Sequence, residues 1–259
     1  MNETEIKMYE AICRNDGIKA REIAKEIGAD KTNINQMLYN VPFIRELCYR
    51  DEEYRWHGLI RQTKPHYGLY DFCGYYDSVG RFLTLSEEEW MAELQEGCRR
   101  IGRNLNDTRG LFHSFRDTRQ AMLSLFDDLK RQAMLSLFDD LKAPDINEWE
   151  ICFELRIRRA RYIRIYADVL VITQNKVFSL EFKMKDAIEP EELQQAVKYS
   201  GYLDVIFGSD YEVIPALVLT KASDLYIWEP LPGNTLEVPV CSGDMLFNLF
   251  DEFIGFLKE

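Results

Sequence analysis

Trp149 marks the point at which this chain changes its apolar period. The long helical period just upstream gives way there to a period of two. "WEICFELRI" and "YIRIYADVLVIT" alternate as strands joined by a tight basic turn, and "KVFSLEFKMK" follows as a third. A two-residue period cannot be wound into a helix without scattering the apolar side chains around it, so this half must build a sheet. "EPEELQQAVKYSGYLDVIF" then returns to a helical period, with Pro190 suited to a first turn. "EVIPALVLTK" and "LYIWEP" read as further strands. "SGDMLFNLFDEFIGFLKE" reads as a closing helix capped by Ser242 or Asp244. Helix, three strands, helix, strand, strand, helix is an α/β order, with helices packed on a mixed central sheet.

Upstream, residues 1–60 predict three short helices and a hairpin. Thr4 is placed to cap the first. "KAREIAKEIG" gives the second, stopped by Gly28, and Asp30 caps a third through "KTNINQMLY". "ELCYRDEEYRWHGLI" alternates around an acidic turn. Helices followed by a two-stranded wing form a winged helix-turn-helix pattern. Residues 61–105 read as a connector and a helix: a Gly- and Tyr-rich irregular stretch to about 85, then a helix opened by Ser86 and three glutamates. Residues 106–259 form the second domain.

Between them "RQAMLSLFDDLK" occurs at 119–130 and again, identically, at 131–142. Such identity points to a recent in-frame duplication or an artefact of cloning, with a functional repeat as the alternative. Twelve residues at ~3.6 per turn put the second apolar stripe about 120° from the first. One straight helix cannot bury both on one face, so a kink or an exposed stripe follows, and an exposed stripe makes a homodimer contact.

The 259 residues carry a formal net charge of −12. That argues against a protein coating nucleic acid non-specifically, though basic contacts can be local. No apolar run approaches the ~20 residues needed to span a bilayer. The acidic N-terminus has no apolar signal segment, so no membrane partner and a cytoplasmic location are expected. Six cysteines (13, 48, 73, 98, 152 and 241) include no CxxC pair, and three histidines (57, 66 and 113) have no metal-ligand spacing. Neither set predicts a zinc or iron–sulfur site.

Carboxylates are the better candidates. Asp168 lies on one strand and Glu181 follows 13 residues later on the next. Strand alternation puts Glu181 and Lys183 on one face, with Leu180, Phe182 and Met184 on the other. Paired buried acids are costly unless a cation sits between them, and hard divalent ions prefer such oxygens. Gln195 and Tyr199, four apart on the next helix, share a face. Glu154 on the first strand is a candidate third acid. The alternatives are a surface ion pair for Glu181 and Lys183, and an ordinary helix face for Gln195 and Tyr199.

Asp168, Glu181-Phe182-Lys183 and the "QAVKY" element resemble the PD-(D/E)XK nuclease superfamily, in particular its RecB-like branch, over about residues 110–230. Ala167-Asp168 stands where that family's name has Pro-Asp. The resemblance implies a restriction-endonuclease-like αβββαβ domain and Mg²⁺- or Mn²⁺-dependent cleavage of DNA. It implies Asp168 and Glu181 as metal ligands, Lys183 at the attacking water, and Gln195 and Tyr199 in support. A part in prokaryotic defence or DNA processing would follow, and RNA stays open as a substrate. The arginines of "RIRRARYIR", among them Arg156, Arg158, Arg159 and Arg161, either position phosphate or solvate a hairpin tip.

In the N-terminal part, Ile34, Met37, Leu38 and Val41 predict the core face of the third helix. Lys31, Asn35 and Tyr39 form a second stripe facing outward, and Trp56 stands on the wing. "DKTNINQMLY" followed by "YRW" is similar to Z-alpha winged-helix domains, which implies a nucleic-acid-facing surface at Lys31, Asn35, Tyr39 and Trp56. Residues 1–60 hold nine Lys/Arg against eleven Asp/Glu. A protein-contact module is therefore the alternative for this part, and a non-catalytic DNA-binding regulator the alternative for the whole chain.

Overall fold

The computed structural model describes residues 3–15, 17–58, 69–103, 105, 108–136, 145–159 and 164–256. It is a mixed α/β structure with one large and one small sheet. The N-terminal part runs α1 (Glu3–Arg14), β1 (Ile18–Lys19), α2 (Ala20–Ile27), α3 (Lys31–Asn40), α4 (Pro42–Leu47), β2 (Cys48–Arg50) and β3 (Arg55–Gly58). The strands order as β1-β3-β2, all antiparallel. Gly28 closes α2 at φ 69°, a left-handed cap that a Cβ would strain. Asp30 accepts from the Thr32 and Asn33 amides at 2.8 and 3.2 Å and starts α3. The short α4 and β1 add to the three helices and hairpin expected.

The large sheet orders as β4 (Tyr75–Ser78), β5 (Glu150–Arg159), β6 (Arg164–Ile172), β7 (Lys176–Lys183), β8 (Glu212–Leu219), β10 (Glu237–Ser242) and β9 (Tyr226–Pro230). Pairing is antiparallel from β4 to β7, parallel from β7 through β8 to β10, and antiparallel at β9. Two of these strands depart from the expectation. β4 lies in the stretch read as irregular connector, and β10 adds a strand between the last predicted strand and the closing helix. Pro239 hides β10, because a proline within a run argues against a central strand, yet it pairs in register with Trp228. The closing helix α9 (Leu246–Ile254) has no side-chain cap; Asp244 instead accepts from the Asp224 amide at 3.0 Å.

Helices α5 (Val79–Thr84), α6 (Glu87–Arg100), α7 (Thr108–Ser136) and α9 share one apolar core with a face of the sheet. The other face packs with α8 (Pro190–Phe207) and the N-terminal helices. The repeat falls in α7, whose first copy sends Met122, Leu125, Phe126 and Leu129 into the core. The helix continues without a break into the second copy as far as Ser136. Residues 137–142, and with them most of the second stripe, lie outside the described residues.

Candidate functional site

Strand register builds the site. On the β6–β7 ladder Val169 pairs with Leu180, which sets Asp168 opposite Glu181 one step further on. On the β5–β6 ladder Phe153 pairs with Val169 and Leu155 with Ala167, so Glu154 is the position opposite Asp168. Three acids thus occupy one row across three strands. The first of them breaks the pleat. Glu154 has φ 56°, a left-handed conformation that costs a non-glycine residue energy. Its neighbours Phe153 and Leu155 enter opposite cores, as strict alternation forbids.

Asp168 accepts from the Phe182 amide at 2.9 Å, and the strand register sets it beside Glu181. Lys183 donates to Glu181 Oε1 at 2.8 Å and Gln195 Nε2 donates to the same oxygen at 2.5 Å. Gln195 also donates to the Tyr199 hydroxyl at 3.0 Å. The helix α8 that carries both is started by Pro190 and tied down by Lys185, which pairs with Glu189 and Glu192 at 2.7 and 2.8 Å. The structure therefore brings together Asp168, Glu181, Lys183, Gln195 and Tyr199.

Burial dominates the electrostatics. It raises the Glu181 carboxyl to about 8, with the neighbouring Asp168 charge adding to the rise and Lys183 opposing it. Burial also raises Asp168, against the pull of Lys183 and the Phe182 amide. For Lys183 burial works the other way, but Glu181 and Asp168 outweigh it and the ammonium is held more firmly protonated than usual. Burial pushes the Tyr199 hydroxyl up to about 12.

Glu154 is placed differently from its row-mates. Arg103 Nε lies 2.7 Å from its Oε2, and the guanidinium stacks 4.5 Å from the Tyr166 ring centroid. Burial raises Glu154 to about 8, with Asp168 adding and Arg103 opposing. The sequence reading missed Arg103. Its only signal is Gly102 just past α6, at φ 70°, where the Arg103 amide returns to the Cys98 carbonyl at 2.8 Å and fixes the turn.

Asp168 and Glu181 supply hard oxygens whose mutual repulsion a divalent cation would relieve, so the pair fits Mg²⁺ or Mn²⁺. Among the described residues no group of three His, Cys, Asp or Glu side chains is disposed to hold a metal ion. The fit is thus to a pair of acids, with Glu154 engaged elsewhere.

The expected phosphate contacts scatter. Arg156 donates to the Ile101 carbonyl at 2.6 Å and so ties β5 to the end of α6. Arg158 and Arg159 lie at the far end of β5, with Arg159 about 17 Å along the strand from Glu154, and Arg161 lies outside the described residues. In the N-terminal part Lys31 and Tyr39 are exposed and Asn35 is half-buried, along one stripe of α3. Trp56 is buried, with its ring edge-on to Tyr39 at 5.5 Å, so it supports Tyr39 from beneath. Arg50, not singled out from sequence, donates to the Tyr39 hydroxyl at 2.5 Å and lies 4.6 Å from the exposed Tyr54 ring. Asp51 turns its carboxylate inward, accepting from the Glu53 and Arg55 amides at 2.9 and 2.8 Å.

No family model matches the chain, and no curated protein matches it. Among solved structures, the crystal structure of protein VC1899 from Vibrio cholerae aligns with 97% of this chain at 12% identity and a TM-score of 0.27. This chain spans 55% of that one's length. Among the described residues no helix is long and apolar enough to cross a membrane.

Proposed function

We propose that this chain is a metal-dependent deoxyribonuclease in two parts: a winged helix that holds duplex DNA and a PD-(D/E)XK domain that cuts it. One observation carries the reading. Asp168 and Glu181 meet at the end of a ladder, Lys183 and Gln195 converge on the Glu181 carboxylate, and Tyr199 holds Gln195. Asp168 and Glu181 would hold Mg²⁺ or Mn²⁺, which supplies a more acidic bound water and neutralises charge on the phosphate. Lys183 is kept protonated by its acid neighbours, so it acts by holding positive charge beside the phosphate and not by taking a proton. Gln195 fixes the Glu181 carboxylate, and Tyr199 fixes Gln195. In the N-terminal part the α3 stripe and Arg50 offer a lysine, an amide, a guanidinium and exposed rings to a sugar–phosphate backbone.

A second reading is a DNA-binding protein on a nuclease scaffold without catalysis. It is favoured by the double occupation of Glu181 Oε1 and by the lack of a three-acid cluster among the described residues. Nicking of supercoiled plasmid by purified protein in Mg²⁺ separates the two. The nuclease reading expects cutting that falls by about 10²-fold or more in Lys183→Ala. Equal cutting by that variant sinks the catalytic assignment. A gel shift with no cutting in Mg²⁺ or Mn²⁺ selects the second reading.

A further inference from the structure

The acid row offers three carboxylates, and among the described residues two cations pair with them, one each on Glu181 and Glu154. Lys183 serves Glu181. Arg103 serves Glu154, with Nε 2.7 Å from Oε2 and Nη2 3.5 Å from Oε1. This second pair is built in. Glu154 is 3% exposed and sits on a left-handed backbone, which re-aims its side chain at the break in the pleat. Gly74 donates its amide to the Phe153 and Glu154 carbonyls at 2.9 and 3.3 Å, locking that backbone in place. Arg103 is held by the turn after α6 and by the Tyr166 ring.

We propose that Arg103 sets the metal count of the site: by engaging Glu154 it withdraws the third acid of the row and leaves Asp168 and Glu181 to take a single divalent ion. The inference rests on the metal-dependent reading above and adds a positioning residue to it. Arg103 stands where a second cation would otherwise be drawn, because among the described residues the row without it holds three acids against one lysine.

Calorimetric titration of the full chain with Mn²⁺ tests this, with circular dichroism to confirm folding. The wild type is expected to take one equivalent, and Asp168→Asn to lose it. Glu154→Gln should keep the wild-type affinity, because Glu154 is not a ligand. Arg103→Gln should take a second equivalent, or bind about tenfold more tightly, the scale on which outer partners tune metal affinity. Adding Glu154→Gln to Arg103→Gln should restore wild-type behaviour. Loss of binding in Glu154→Gln overturns the proposal, as does a folded Arg103→Gln that titrates like the wild type. If Arg103→Gln does not fold, the Glu154→Gln result alone decides. A wild type that takes no Mn²⁺, or an Asp168→Asn that binds undiminished, fails the metal-site reading itself and takes this inference with it.

Discussion

Asp168 and Glu181 stand opposite each other at the end of the β6–β7 ladder, and burial raises each above the ordinary carboxylate range. The folded protein therefore holds protons that the unfolded chain releases. Glu181, at about 8 against an ordinary 4.5, binds more proton when folded throughout that window. A group raised in this way stabilises at low pH, and the contribution is lost as pH rises through the folded value. The metal-free protein should melt lower at about pH 8.5 than at about pH 5.5. Glu181→Gln should flatten that dependence and raise Tm at the alkaline end by about 2–4 °C for each kcal/mol of repulsion removed. A Tm that climbs over the same range would show that the folded protein does not hold the two acids protonated.

Much of this pair was legible, because strand alternation fixes which side chains share a face and Glu181 and Lys183 lie on an unbroken strand. Gln195 and Tyr199 were legible for the matching reason on a helix. Glu154 was legible as a third acid on the first strand, but its pairing with Arg103 was not, because its aim depends on a left-handed backbone that side-chain type does not announce. Arg103 was hidden by distance in sequence: 51 residues separate it from its carboxylate partner. Trp56 was placed on the wing, but burial of an aromatic on a half-exposed hairpin depends on what lies beneath it. β4 was lost in a Gly- and Tyr-rich stretch, since its partner β5 is supplied from far along the chain.

Gly97 and Gly74 show how β4 is held against α6. A Cβ on Gly97 would lie 1.8 Å from the Gly74 carbonyl oxygen, so helix and strand approach closely enough to admit only glycine there. Gly97→Ala should cost about 3 kcal/mol or more by forcing that backbone apart. Gly110 is the control: a Cβ there meets nothing within 4 Å, on the same side of the sheet in α7. Gly110→Ala should be neutral or stabilise by about 0.5–1 kcal/mol. Urea midpoints of the two variants decide it, and similar shifts would mean that the α6–β4 contact is looser than described.

The tandem copies supply an internal experiment. Arg119 and Arg131 hold the same place in the repeat, twelve residues apart. Arg119 is buried, donates to the Leu85 carbonyl at 2.6 Å and lies 5.7 Å from the centroids of both the Phe82 and Trp90 rings. Arg131 is exposed and pairs i,i+3 with Asp128. Arg119→Ala removes a buried guanidinium and its bond to the half-buried Leu85 carbonyl and should cost about 1–3 kcal/mol. Arg131→Ala should fall within about 0.5 kcal/mol of wild type. Chemical denaturation of the two variants measures the difference. Equal costs would mean that the second copy shares the burden of the core.

Gln195 is the residue whose replacement best separates a working site from an inherited arrangement. It donates to Glu181 at 2.5 Å and to Tyr199 at 3.0 Å, so it holds a carboxylate that already has Lys183 on the same oxygen. If Glu181 works as a metal ligand, loss of Gln195 frees the carboxylate to rotate away from Asp168. Gln195→Ala should then weaken Mn²⁺ binding by about 10–100-fold. Cleavage at limiting metal should fall in step and recover as metal is raised. Tyr199→Phe removes only the outer partner and should do much less. Should the two variants weaken metal binding equally, the hydroxyl reaches the site by a route other than Gln195. Should neither weaken it, the convergence on Glu181 is an apo-state contact that metal displaces, and Gln195 has no part in holding the ion.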